Sequence, residues 1–183
     1  MAILKRTLII GSGGYIGSRL SREIQADGVD INWFKKGSKD IDFKDLTRDY
    51  YSQYDNIILL AGHSSVKMSE GNLNSCFNNN VRNFIDLLEK LDKQKLIYAS
   101  SSSVYGSVGG KTVNEKYFGF EPYNQYDISK HTADLYAQKS DVEYYALRFG
   151  TVNGYSPFLR SDVMINAMVN SALVDGHIKL YIK

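Results

Sequence analysis

Seven residues near the amino terminus, Gly11-Ser12-Gly13-Gly14-Tyr15-Ile16-Gly17, constrain the fold more than any other stretch. They follow the apolar run Thr7-Leu8-Ile9-Ile10, which reads as a buried parallel strand. Beyond them Ile16, Leu20 and Ile24 recur every four positions, as on one face of a helix. The glycines at 11, 14 and 17 keep a GxxGxxG spacing. A strand–turn–helix of this kind needs backbone without a Cβ where a pyrophosphate approaches and again where helix meets sheet. The helix N-terminus then presents free N–H groups and a partial positive charge to the phosphates. A tight glycine turn can also exist without a ligand, so the reading as a dinucleotide site rests on the strand before it and the helix after it.

The alternation continues along the chain. Residues 29–34, 56–60, 96–99 and 144–148 read as further strands, with Gly28 ending the first helix. Helical patterns cover about 46–53, two segments of 64–91, 123–139 and 162–174, and an apolar stub lies at 178–182. Repeated βα units predict an α/β fold, a Rossmann-type doubly wound parallel sheet with ligand loops at the carboxyl ends of its strands. At 183 residues and 43% hydrophobic content the chain can bury a sizeable core. A net charge of +2, without a basic and aromatic stripe, argues against a nucleic-acid partner. No apolar run reaches the roughly 20 residues that span a bilayer, so no membrane partner is expected. One cysteine, Cys76, and no room for a signal peptide before the first strand suggest a cytoplasmic protein. Three scattered histidines and that cysteine give no metal-ligand spacing.

Two further features bear on chemistry. An acidic residue about 20 positions on, at the end of the second strand, usually holds the adenosine ribose of NAD. Here that position falls at Lys35, in Phe34-Lys35-Lys36-Gly37, and a cation favours a 2′-phosphate. NADP is therefore the expected cofactor, with NAD possible; a solvated lysine loop would look the same. Tyr126-Asp127-Ile128-Ser129-Lys130 places a tyrosine and a lysine one helical turn apart, after a serine-rich strand end. About one such pair is expected by chance, so spacing alone leaves a surface pair as the default.

Taken together, these stretches resemble the extended short-chain dehydrogenase/reductase family, in its nucleotide-sugar epimerase and dehydratase branch. The matching segments are residues 11–17, Leu60-Ala61-Gly62-His63, Asn79-Asn80-Val81-Arg82-Asn83, 100–106, 122–130 and 147–154, in family order. The resemblance implies that Tyr126 is the general acid/base on a sugar hydroxyl or carbonyl. Lys130 would lower the phenol pKa and hold the nicotinamide ribose, and Ser101 would hydrogen-bond the reacting oxygen. Dehydratases of the family carry an Asp-Glu pair after that hydroxyl; here it is Ser102-Ser103, which argues for epimerisation or reduction. The cofactor contacts implied are Gly11, Gly14, Tyr15, Ile16, Gly17, Lys35, Asp42, Phe43, Leu60, Ala61, Gly62, Asn80, Tyr126, Lys130, Phe149 and Val152. Thr151 and Asn153 depart from the usual Asn-Val-Tyr-Gly.

The expected activity is that of an NAD(P)-dependent epimerase or reductase acting on a nucleotide-sugar. The alternative is a dinucleotide-binding protein without catalysis. Family members continue into a smaller substrate-binding domain, so 1–158 is expected to be the Rossmann domain and 159–183 the start of a truncated second one. Helices near 75–91 and 123–139 resemble the pair through which family members form homodimers. His63 is read as a loop residue.

Overall fold

The computed structural model describes residues 5–31, 39–117, 119 and 121–178. Its strands are β1 (Thr7–Ile10), β2 (Asp27–Asp30), β3 (Lys39–Asp40), β4 (Asn56–Leu59), β5 (Lys95–Ser101) and β6 (Tyr144–Phe149). They form a single sheet in the order β3-β2-β1-β4-β5-β6, with every neighbouring pair parallel. The order reverses between β1 and β4, and the crevice beyond their carboxyl ends is where such sheets take a ligand. The expected doubly wound Rossmann architecture is what the chain forms.

The helices are α1 (Tyr15–Glu23), α2 (Arg48–Tyr51), α3 (Val66–Glu70), α4 (Leu73–Phe77), α5 (Asn83–Lys90), α6 (Gln125–Lys139) and α7 (Met164–Asp175). Leu8, Ile10, Val29, Ile57 and Leu96 from the strands are sealed against Phe84, Leu87 and Leu88 of α5 and Ala133 and Ala137 of α6. Each buried aliphatic or phenylalanine side chain of this size contributes about 1.5–3 kcal/mol. Helices α2, α3, α4 and α6 start with side-chain caps from Thr47, Ser65, Asn72 and Asn124. The cap of α1 is Gly14, which has no side chain to close the first turn. The N–H groups of that turn therefore stay available to a ligand.

Several boundaries differ from the sequence expectation. Helix α1 stops at Glu23, because Ile24 is already extended and exposed. Gly28, expected to end that helix, lies inside β2. The strand starts at Asp27, not at Val29, because Asp27 is tied down by Arg6 (3.2 Å) and the Tyr54 hydroxyl (2.9 Å). Residues 32–38, and with them Lys35, lie outside the described residues, as does most of the stub at 178–182. The two helical segments expected over 64–91 are three α-helices and a π-helical turn, Asn78–Arg82. Gly71 ends α3 and Asn72 caps α4, which splits the first segment.

Beyond β6 the chain folds back over α1. The Ser156 hydroxyl donates to the Tyr15 carbonyl (2.6 Å) and meets the Ser18 hydroxyl (3.0 Å). Asn166, at the start of α7, accepts from Gly154 N and donates to the Tyr15 hydroxyl, both at 3.0 Å. Ser156 and Asn166 are both buried, so the segment after residue 150 is anchored on the glycine turn.

Candidate functional site

The glycine turn is held from β2. Gly11 N donates to the Val29 carbonyl (2.8 Å) and Gly13 N to Asp30 Oδ2 (2.9 Å). Gly11 has φ +86°, and a Cβ there would come within 2.5 Å of Ala61 N. A Cβ on Gly17 would sit 2.0 Å from the Gly11 carbonyl oxygen. The backbone of β1, β4 and α1 thus converges on a cradle that a side chain would fill. Above it opens a cavity of about 530 Å³, within the range of cofactor sites. Gly11, Gly14, Tyr15, Ile16 and Gly17 form one wall, Leu60, Ala61 and Gly62 a second, and Asp42 and Phe43 the far end. A pyrophosphate fits the N–H donors of the first wall, and a flat base fits the apolar side chains of Ile31, Ile41 and Phe43 that also line the cavity.

The residues of this cavity that were not singled out from the sequence as contacts include Asp30, His63, Ser64, Phe158 and Arg160. Asp30 stands at the end of β2, and its signal was present in the spacing once the strand is started at Asp27. Phe158 and Arg160 arrive from beyond β6, and nothing local in their sequence marks them.

Tyr126 and Lys130 stand one turn apart on α6, the Lys130 Nζ 5.8 Å from the centre of the Tyr126 ring. Lys130 donates to the Ala99 carbonyl at 2.9 Å. Desolvation pushes its pKa down to about 8, against the opposing pull of Asp134. Desolvation raises the Tyr126 pKa, while a hydrogen bond with Ser101 and the Arg160 charge lower it. Ser101 ends β5, is paired across to Phe149 of β6, and its hydroxyl accepts from Ser103 N at 3.1 Å. Ser101, Tyr126 and Lys130 are therefore gathered at the β5 end of the crevice. Phe149 and Val152 are half-buried near this end, and neither borders the large cavity.

Asn80 joins the two halves. From the π-helical turn its Oδ1 accepts from His63 N (2.8 Å), and its Nδ2 donates to the His63 carbonyl (3.1 Å) and to Ser129 Oγ (3.0 Å). Ser129 in turn donates to the Tyr126 carbonyl at 2.8 Å. The loop after β4 and the helix bearing Tyr126 and Lys130 are thus fastened to one carboxamide, at a helix irregularity of the kind common at functional sites. Asn80→Ala would orphan His63 N and remove all three bonds. The expected loss is about 2–3 kcal/mol, a fall in Tm of roughly 4–12 °C, read by thermal unfolding. The His63 ring lies 3.4 Å from Ser75 Oγ, and burial, then the Lys130 charge, lower its pKa, so it is neutral at pH 7. Among the described residues no group of three metal-ligating side chains gathers, and no helix is long and apolar enough to cross a membrane.

A parallel sheet reversing at a glycine cradle, with a tyrosine, a lysine and a serine at the adjoining strand end, defines a Rossmann domain of the dinucleotide-binding kind. The chain belongs to the NAD dependent epimerase/dehydratase family, whose model matches residues 7–182. It is 28% identical over 207 residues to Protein CapI of Staphylococcus aureus, covering 93% of this chain and 61% of that protein. It is 27% identical over 173 residues to a UDP-glucose 4-epimerase of Lacticaseibacillus casei, covering 81% and 52% respectively. The solved structure of MoeE5 in complex with UDP-glucose and NAD matches with a TM-score of 0.79 at 27% identity, over 93% of this chain and 62% of that one. The chain spans 61% of the first relative's length and 62% of the solved chain's.

Proposed function

We propose that this chain supplies the cofactor-binding and proton-transfer half of an NAD-dependent epimerase acting on a UDP-sugar. The observation that carries the reading is that Tyr126, hydrogen-bonded to Ser101 and one turn from Lys130, feels the charge of Arg160, which borders the cavity floored by the glycine cradle. The curated UDP-glucose 4-epimerase relative, and a structural neighbour holding UDP-glucose and NAD, support the same substrate class. A nicotinamide ring supplies the hydride acceptor and donor. Tyr126 takes the proton of the sugar hydroxyl as its carbon becomes a ketone, and returns it when the alcohol re-forms. Ser101 hydrogen-bonds that oxygen, and the Lys130 ammonium favours the phenolate state of Tyr126. Ser102 and Ser103 offer no carboxylate with which to eliminate water. Residues from 159 on are taken as the beginning of the substrate-binding part.

The expected result is formation of the 4-epimer when the chain is given NAD and UDP-glucose or UDP-glucuronic acid, followed by NMR of the sugar. NAD binding without any turnover would leave only the alternative, a dinucleotide-binding protein.

For the cofactor, Asp30 outweighs Lys35. Its carboxylate borders the cavity at the end of β2, where it can accept the ribose hydroxyls and would repel a 2′-phosphate. NAD is accordingly expected to bind at least about tenfold tighter than NADP, and Asp30→Ser to narrow that gap. Calorimetry showing tighter NADP binding would restore the reading from Lys35.

Leu73 and Phe77 on α4 and Ile128, Leu135 and Tyr136 on α6 leave apolar surface exposed. This supports a homodimer through the helices near 75–91 and 123–139, which sedimentation at high concentration would test. The one cysteine, Cys76, is buried and unpaired, in keeping with a reducing, cytoplasmic setting.

A further inference from the structure

We propose that Arg160 is a diphosphate-binding residue, a guanidinium fork that faces a nucleotide's phosphates across the cavity from the first turn of α1. The proposal rests on the dinucleotide and UDP-sugar reading above and deepens it.

Arg160 borders the same cavity as Gly11, Gly14 and Tyr15 but reaches it from the opposite end of the chain. Its geometry is fixed before any ligand arrives. Nε and Nη2 donate to the two carboxylate oxygens of Asp162 at 3.0 and 2.6 Å, and Nη1 donates to Ser64 Oγ at 3.0 Å. Its carbonyl accepts from the buried Asn166 Nδ2 at 3.0 Å, the amide that also holds the Tyr15 hydroxyl. The fork is therefore referenced to the loop after β4 on one side and to the glycine turn on the other.

A guanidinium carries five N–H groups, and these contacts use three. One N–H on each of Nη1 and Nη2 remains for the oxygens of a phosphate. Asp162 is well exposed, with 65% of its side-chain area in water, so its charge is screened and offsets the Arg160 cation only in part. The guanidinium side chain is 27% exposed, shielded enough for an anion contact to hold. Hydrogen bonding to Asp162 raises the Arg160 pKa, and the nearby Tyr126 and Tyr15 phenols add to it. The guanidinium accordingly stands between the pyrophosphate cradle and the Tyr126 end of the crevice. The diphosphate of a dinucleotide and that of a nucleotide-sugar share the chemistry it would recognise.

The test is calorimetric titration of the unmodified chain, Arg160→Gln and Arg160→Lys with NAD and with UDP, and an NMR titration with adenosine, which has no phosphate. Arg160→Gln is expected to weaken NAD, UDP or both by about tenfold or more while adenosine binding is unchanged. Arg160→Lys should recover part of the loss, keeping the charge without the fork. Loss confined to NAD assigns the fork to the cofactor, and loss confined to UDP assigns it to the sugar nucleotide. Unchanged affinity for both in Arg160→Gln overturns the proposal, as does an equal loss for adenosine with a lowered Tm, which would mark a structural role. An unmodified chain that binds neither NAD nor UDP would overturn the epimerase reading and this one with it, a result distinct from unchanged affinity in the variant.

Discussion

Tyr126→Phe is expected to lower UDP-sugar turnover by about 10²–10⁴-fold while leaving NAD affinity within about twofold, the range for losing a positioned general acid/base. Tyr126 is the group of the three placed to accept and return the proton, since the Ser101 hydroxyl accepts from Ser103 N and Lys130 is turned to the Ala99 carbonyl. The ring of phenylalanine fills the same space on α6, so packing is preserved and the loss is one of proton transfer. The pH profile gives an independent check. With its pKa near 8, Lys130 is an ammonium at pH 7 and becomes neutral as the pH climbs past that value. Its support of the phenolate is lost on the same side, so kcat/KM is expected to fall above about pH 8. The linkage to stability has the opposite sign. A folded pKa below the unfolded 10.5 means that the unfolded chain holds more protons between those values, so this group makes the fold more stable as the pH rises from about 8 towards 10.5. A Tyr126→Phe protein with full turnover would remove the proton-transfer role altogether.

What could be read in the sequence was what is encoded locally. The cradle was legible because glycine spacing, an apolar strand and a helical stripe fall within one contiguous segment. The same holds for Leu60-Ala61-Gly62, which follows a strand whose Ile57 and Leu59 are buried. The second strand was misplaced because Asp27-Gly28-Val29-Asp30 contains a single buried apolar residue and has no hydrophobic pattern to find. Its position is set by pairing with β1, Leu8 to Asp27 and Ile10 to Val29, and that register decides that Asp30 reaches the cavity. The π-helical turn was hidden for a different reason. Asn78-Asn79-Asn80-Val81-Arg82 fits a helical period whether or not a residue is inserted, and only the three bonds of Asn80 show why the turn is widened. Arg160 lies 96 residues from Ser64, and their contact exists only because Ser156 and Asn166 press the last described segment onto α1.

Gly17→Ala is expected to destabilise the fold by about 3 kcal/mol or more, a fall in Tm of roughly 6–12 °C, and to abolish measurable NAD binding. The added Cβ would lie 2.0 Å from the Gly11 carbonyl oxygen and 2.9 Å from Gly11 C and Ser12 Cα. All three atoms belong to backbone, which cannot rotate away as a side chain can. Gly11 cannot yield either, since it is pinned by its bond to Val29 and lies against Ala61. Relief must come from moving α1 outward, which pulls Tyr15 from Ser156 and Asn166 and shifts the first-turn N–H groups away from the phosphate position. Gly71→Ala is the control: a Cβ there meets nothing within 4 Å, and the backbone is ordinary αR at the end of α3. That change should be neutral or stabilise by about 0.4–1 kcal/mol, because alanine has fewer unfolded conformations to lose. If the two variants unfolded at the same temperature and bound NAD equally, close approach of α1 to β1 could not be the reason glycine stands at position 17.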